Sequence, residues 1–221
     1  MTRLCPPRSL IVSCQAAPGN PLHGPEPMAL MARAAVAGGA AAIRANGAVD
    51  VAAIRAAVDV PILGIAKAGD PRGVFITADP AAAAELVAAG ADAVATDGTL
   101  RPRPDGRTLR EHVAEIHDRL GVEVMADVDS YEAGMAAREA GVEIVATTLS
   151  GYTGDGVPEG PDVELVARLA GALDCPVIAE GRYWTADDVR AGFDAGAYAI
   201  VVGTAITNPM AITQRFVGAA R

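Results

Sequence analysis

Eight short, apolar, unalternating runs recur along the chain, each followed by a helical pattern, and this alternation limits the fold more than any other feature. The runs are LIVSCQ (10–15), AAIRA (41–45), PILGIAK (61–67), DAVATD (92–97), EVMADV (123–128), EIVATT (143–148), PVIAEG (176–181) and AYAIVVG (197–203). A strand with one wet face alternates apolar and polar residues, whereas a continuous apolar run suits a parallel strand covered on both faces. Between the runs lie amphipathic segments such as MALMARAAVAGG, LREHVAEIHDRLG and TADDVRAGFDAG, and PMAITQRFVGAA closes the chain. Gly39, Gly90, Gly141 and Gly196 stand where a glycine can end a helix just before the next strand. DVPILGIAK and DCPVIAEG enter runs three and seven through the same Asp-x-Pro step, which hints at two related halves. Eight such units in 221 residues predict an α/β fold, a single-domain (β/α)8 TIM barrel over 1–221 with 1–9 an irregular lead-in; an open doubly wound sheet is the alternative.

Composition narrows the partners. A net charge of -9 leaves no electrostatic footprint for nucleic acid or an anionic membrane, though locally gathered cations could still hold an anionic small substrate. Cys5, Cys14 and Cys175 are odd in number and widely spaced, which argues against a disulfide framework and for a reducing cytoplasm. The apolar run before Cys14 is too short for a signal segment, and the uncharged stretch 195–214 is broken by Gly203, Asn208 and Pro209, so neither reads as a membrane element.

In a barrel of this kind the active site lies at the carboxyl ends of the strands. The polar groups there are Gln15, Arg44, Lys67, Asp97, Asp127, Thr147 with Thr148, Glu180 and the Gly203–Thr204 pair. Lys67 is the single lysine among eighteen Lys and Arg. A composition that uses arginine wherever a positive charge suffices keeps lysine where a proton must be lost, because arginine stays protonated at any accessible pH. Lys67, Asp127 and Glu180 come from strands three, five and seven and can converge over the mouth, as a catalytic set or as an ion-pair network that satisfies the rim. Arg44 in an apolar strand is costly unless it is paired or meets an anion. His23 sits in a loop, and His112 and His117 are five apart on one helix and face different sides, so an imidazole-carboxylate metal site is not expected.

The loops after strands seven and eight, AEGRYWTADD and VVGTAITNP, each turn on a glycine into a helix, an arrangement that can cradle a phosphate with backbone N–H groups; Gly181, Arg182, Gly203, Thr204 and Asn208 are the candidates. TLRPRPDG (99–106) reads as a lid or a stiff connection, and LSGYTGDGVPEG (149–160) as an active-site or a solvent loop in which Tyr152 could meet a ligand. Cys14 reads as a small core residue.

Taken together, SCQA, GGAAAIRANG, PILGIAK, FITA, TLRPRPDG, MADV, TTLSGYT, PVIAEGR and AIVVGTAIT resemble the bacterial N-acylglucosamine-6-phosphate 2-epimerases, in order and at matching spacing from about Leu10 to the carboxyl terminus. The resemblance implies a (β/α)8 enzyme, usually a dimer, that interconverts N-acetylmannosamine 6-phosphate and N-acetylglucosamine 6-phosphate in sialic acid salvage without a cofactor or a metal. It implies catalysis by Lys67 and Glu180, sugar contacts from Gln15, Arg44 and Asp127, and a phosphate site at Gly181–Arg182 and Gly203–Thr204. The chain departs from the family at ITNP, where Asn208 replaces the usual arginine. Two rival functions share these features: a Schiff-base lysine aldolase acting on a sugar phosphate, and a barrel that binds a sugar phosphate without turnover.

Overall fold

In the computed structural model, which describes residues 2–154 and 157–220, eight parallel strands close in sequence order into a barrel. The order is β1 (Ser9–Cys14), α1 (Pro25–Ala37), β2 (Ala42–Asn46), α2 (Ala48–Arg55), β3 (Ile62–Ile65), α3 (Pro80–Ala88), β4 (Ala93–Asp97) and α4 (Leu109–Leu120). It continues with β5 (Glu123–Asp127), α5 (Tyr131–Ala140), β6 (Ile144–Ala146), α6 (Val163–Ala172), β7 (Val177–Glu180), α7 (Ala186–Asp194), β8 (Ala199–Val202), α8 (Thr204–Thr207) and α9 (Pro209–Ala219). The expected (β/α)8 barrel is therefore found, and the open sheet is not, because β8 pairs with β1 from Ser9↔Ala199 to Val12↔Val202.

Both faces of each strand are buried for different reasons. Outward residues such as Val12, Ile43, Ile62, Val94, Val124, Val145 and Val177 pack under the helices. Inward residues such as Ile11, Ala42, Leu63, Ile65, Ala95, Met125, Ile144, Ile178 and Val201 fill the barrel interior. Small alanines beside Leu, Ile and Met let the layers fit within the closed sheet.

The helix ends follow local chemistry. Thr108 and Thr185 each form a capping box, with Glu111 and Asp188, and Asp79, Ser130 and Asp162 cap their helices by accepting an amide. Gly141 takes the left-handed conformation that ends α5.

The expected strand bounds need correction, most of all at the sixth. Strand six spans only Ile144–Ala146, and of the two threonines beyond it Thr148 lines the mouth. The residues before β1 have no regular secondary structure yet are packed: Leu4 and Cys5 are buried with the interior residues, the Thr2 hydroxyl donates to Glu123 at 2.7 Å, and the Arg3 amide reaches both Glu123 oxygens at 3.1 and 3.0 Å. The first residues thus plug the bottom of the barrel and leave the top as the open end.

Candidate active site

Side chains alternate along a strand, so the residues that enter the mouth are fixed by parity. Counting up from the interior layers, Ser13, Arg44, Lys67, Asp97, Asp127, Thr148, Glu180 and Gly203 all fall on the inward phase. A cavity of about 840 Å³ opens over them, lined among others by Gln15, Arg44, Lys67, Thr148, Glu180 and Tyr152. That is ample for a phosphorylated hexosamine.

Arg44 organises the floor. Its guanidinium is only 1% exposed and grips Asp127 with two bonds of 2.9 and 2.5 Å, while one remaining N–H of the same fork reaches Glu180 Oε2 at 2.8 Å. Burial alone would disfavour the charged guanidinium, but the two carboxylates outweigh it and raise the pKa, so Arg44 stays protonated. The carboxylates share it unequally. Burial pushes the Glu180 carboxyl up to about 7, and the nearby Asp127 charge adds to the rise, while Arg44, Lys67 and the hydrogen bond from the Thr148 hydroxyl oppose it. Asp127 takes two of the three guanidinium bonds, which leaves Glu180 with too little compensation for its desolvation. The Thr148 hydroxyl lies between the two acids, 2.5 Å from Asp127 Oδ1 and 3.2 Å from Glu180 Oε2. Thr147 points the other way and stitches β6 to β7, its hydroxyl donating to the Glu180 carbonyl and accepting the Glu180 amide.

Lys67 stands two residues beyond β3, where it forms a single antiparallel bridge with Ile76, and its amide donates to Asn46 Oδ1 at 2.9 Å. The residue is exposed at the rim, yet the protein around its ammonium lowers its pKa, and the Arg44 charge lowers it further against the pull of Glu180 and Asp127. Among the described residues the ammonium has no ion-pair partner within 4.0 Å. A lysine shifted downwards and a carboxyl shifted upwards at one mouth are candidates for proton transfer.

At the other side of the mouth, Gly181 (φ 110°) and Arg182 (φ 61°) turn the chain sharply after β7. The main-chain amides of Gly181, Arg182, Gly203 and Thr204 find no acceptor among the described residues. Four free donors at adjacent loops form a concavity suited to an anion. The Arg182 side chain is committed elsewhere: it donates to the Gly160 carbonyl at 2.6 Å and to the Ser150 carbonyl, and lies over the Tyr152 ring at 5.4 Å. Asn208 lines the cavity, but its side-chain oxygen caps α9 through the Ala211 amide at 3.1 Å and accepts from Asn20 at 3.3 Å, so only its amide NH2 remains for a ligand. Gln15 donates to Ser13 Oγ at 2.7 Å at the edge of the cavity. Tyr152 lines it and is 48% exposed. Asp155 and Gly156 of the same loop lie outside the described residues.

The TLRPRPDG segment is a stiff connection. Asp97 receives the Thr99 amide and hydroxyl and Arg101, while Arg103 donates to the carbonyls of Asp97 and Ala78. Cys14 is fully buried, and burial pushes its thiol up to about 12, as for an inert core residue. Sequence reasoning missed Asn46, which holds the Lys67 backbone, and His23, which lines the cavity with Nδ1 on the Ala16 carbonyl. The signal for Asn46 was its place two residues after Arg44 on the same inward phase; His23 left none, because its loop carries no period.

Comparison with known proteins agrees with this geometry. The family model described as "NanE: Putative N-acetylmannosamine-6-phosphate epimerase" matches residues 28–221. A protein of Cutibacterium acnes named "Putative N-acetylmannosamine-6-phosphate 2-epimerase" is 50% identical over 96% of this chain and 93% of its own length. One of the same name from Caldanaerobacter subterraneus is 48% identical over 94% and 89%. A solved structure of the N-acetylmannosamine-6-phosphate 2-epimerase from Clostridium perfringens superposes with a TM-score of 0.91 at 40% identity, covering 96% of this chain and 93% of that one. The chain belongs to the N-acetylmannosamine-6-phosphate epimerase family.

Proposed function

We propose that this protein inverts C2 of an N-acylated hexosamine 6-phosphate, converting N-acetylmannosamine 6-phosphate to N-acetylglucosamine 6-phosphate in amino sugar and sialic acid breakdown. The observation that carries this reading is the pairing of Lys67 and Glu180 at one mouth, with their pKa values moved towards each other from opposite ends of the scale. Inversion next to a carbonyl needs a group to take a proton from C2 of the open-chain sugar and a source of a proton on the opposite face. Lys67 is the base in its neutral form and Glu180 is the partner acid. Arg44 meets the sugar from the floor, where the buried Asp127 fixes its guanidinium, with Gln15 and Tyr152 at the edges. The free amides at Gly181, Arg182, Gly203 and Thr204 support a phosphate seat built from main chain, to which Asn208 adds an amide donor. No step in this chemistry calls for a metal or a cofactor.

The protein acts as a homodimer in the cytoplasm in this proposal. Helix α9 supports the dimer: none of its residues is buried, and it exposes Met210, Phe216 and Val217, an apolar face suited to a second copy. The widely spaced free thiols suit a reducing compartment. No helix among the described residues is long and apolar enough to cross a membrane.

The test is to incubate the protein with N-acetylmannosamine 6-phosphate in heavy water and follow C2 by NMR. Epimerisation with deuterium incorporated at C2 is expected from the native chain and none from Lys67→Arg, which keeps the charge but cannot act as the base. Turnover that leaves C2 unlabelled, or an arginine variant with native activity, overturns the reading.

A further inference from the structure

The tops of β3 and β4 are parted by a hairpin. The two strands share only the register pairs Leu63↔Ala93 and Gly64↔Val94, whereas β4 and β5 stay paired through five positions up to Asp97↔Asp127. Residues 66–77 fill the gap. The chain leaves β3 through Ala66 and Lys67, turns at the exposed residues 68–72 and returns beside β4, where the Asp97 amide donates to the Ile76 carbonyl at 2.9 Å. Lys67 faces Ile76 in the antiparallel bridge, and the Ala68 amide donates to the Phe75 carbonyl at 3.0 Å. Lys67 therefore sits on an inserted arm and not on the barrel proper.

Thr77 fastens this arm at its foot. The residue is fully buried, does not line the cavity and has φ 43°, a left-handed conformation that is strained for a β-branched side chain. Its amide donates to the Ala66 carbonyl at 2.7 Å and its hydroxyl accepts the Ala66 amide at 3.0 Å. Both main-chain polar groups of the residue before Lys67 thus end on Thr77. In a regular parallel ladder the Ala66 amide would donate to a β4 carbonyl; here the arm stands between the strands, and a side chain supplies the acceptor. The Thr96 hydroxyl donates to the Thr77 carbonyl at 3.1 Å and ties the foot to β4. Together these three bonds hold the strained residue in place.

We infer that Thr77 is a positioning residue for Lys67: by clamping both polar groups of Ala66 it fixes the peptide from which the lysine departs and aims the side chain at the mouth. This rests on the reading of Lys67 as the base that takes the C2 proton. A base has to lie within hydrogen-bond reach of its proton, and a displacement of about 1 Å removes it from that reach. The Lys67 ammonium has no ion-pair partner within 4.0 Å among the described residues, so the task of aiming it falls to the backbone. Other bonds attach the arm elsewhere. Asn46 holds the Lys67 amide from the β2 side at 2.9 Å, Asp97 accepts the Phe75 amide at 3.3 Å, and Arg101 donates to the Pro71 carbonyl at 3.2 Å near the tip. Thr77 acts on the adjoining residue from the β4 side.

Lys67 is the single lysine of the chain, so protein grown on isotope-labelled lysine gives one Cε–H cross-peak in NMR, which reports this side chain directly. Thr77→Gly adopts the same φ without strain and keeps the fold, but leaves the Ala66 amide without its acceptor. Without substrate it is expected to broaden or move the lysine peak. In turnover of N-acetylmannosamine 6-phosphate it is expected to lower kcat by roughly 10- to 100-fold, with KM changed less than about twofold. Thr77→Ser restores the hydroxyl and is expected to return both readings to near native. Leu4→Ala, which weakens the fold at the opposite end, is expected to leave the peak in place. A native kcat in Thr77→Gly overturns the inference, as does a loss of kcat with the lysine peak unmoved, or a peak that moves equally in Leu4→Ala. A chain whose peak responds as expected but which does not epimerise N-acetylmannosamine 6-phosphate refutes the epimerase reading and leaves the hold of Thr77 on the lysine established.

Discussion

The two ends of the barrel carry the same kind of residue in the same position and treat it in opposite ways. Glu123 and Glu180 both lie on the inward phase, one at the foot of β5 and one at the top of β7. At the bottom, the first residues fold under the barrel and give Glu123 a hydroxyl and a backbone amide, which together reach both of its oxygens. At the top, Glu180 shares one arginine with a better-placed acid and faces an open cavity. A buried carboxyl is pushed up when desolvation and a neighbouring acid outweigh its donors. The difference lies in the neighbours, since Asp127 stands beside Glu180, adds to the rise in its pKa and shares its arginine.

The largest expected contrast is between Glu180→Gln and Glu123→Gln. The first is expected to lower kcat by about 10² to 10⁴, the usual worth of a positioned acid or base, with stability retained. The second is expected to leave kcat near native and to cost about 1–2 kcal/mol in urea unfolding, as a charge-assisted bond at the plug becomes a neutral one. Equal losses of activity at both ends would break the comparison.

A smaller effect isolates the plug itself. Leu4 is 1% exposed among the interior residues, so Leu4→Ala is expected to destabilise the chain by about 2–4 kcal/mol while kcat changes less than twofold. A large fall in kcat would mean that the bottom transmits to the mouth.

The pH dependence of stability sharpens the comparison further, because two buried groups act with opposite sign. His112 is fully buried, its Nε2 at 3.1 Å from the Thr96 hydroxyl, and burial lowers its pKa from 6.5 to about 4. The unfolded chain then binds the proton more readily, so this group makes stability rise with pH between about 4 and 6.5. Glu180 is raised from 4.5 to about 7, so the folded chain binds the proton more readily and stability falls as pH rises across that window. The two slopes largely cancel in the native chain. Denaturant midpoints against pH are expected to fall with rising pH in His112→Gln and to rise in Glu180→Gln, with slopes up to about 1.4 kcal/mol per pH unit. Parallel curves for the two variants would refute the opposing signs.

Much of this was legible along the chain. The apolar runs gave the strand count because both faces of a parallel barrel are dry, and the rule that the site lies at the carboxyl ends of the strands picked out Arg44, Asp127 and Glu180. Gly39, Gly90, Gly141 and Gly196 all adopt the positive φ expected of glycines at helix ends. The roles of Arg182 and Asn208 were read less well. Both line the cavity, but their side chains serve carbonyls and a helix end, and nothing in GRYW or ITNP records which acceptors lie within reach.

The sequence by itself determined the barrel, the identity of the residues at its mouth and the choice of lysine at position 67, since these follow from periodicity and side-chain chemistry. Only the tertiary structure decided that one guanidinium is divided between two acids, that Thr148 stands between them, and that the first residues close the opposite end. Those facts depend on distances between strands far apart in the chain, which no local pattern of residues records.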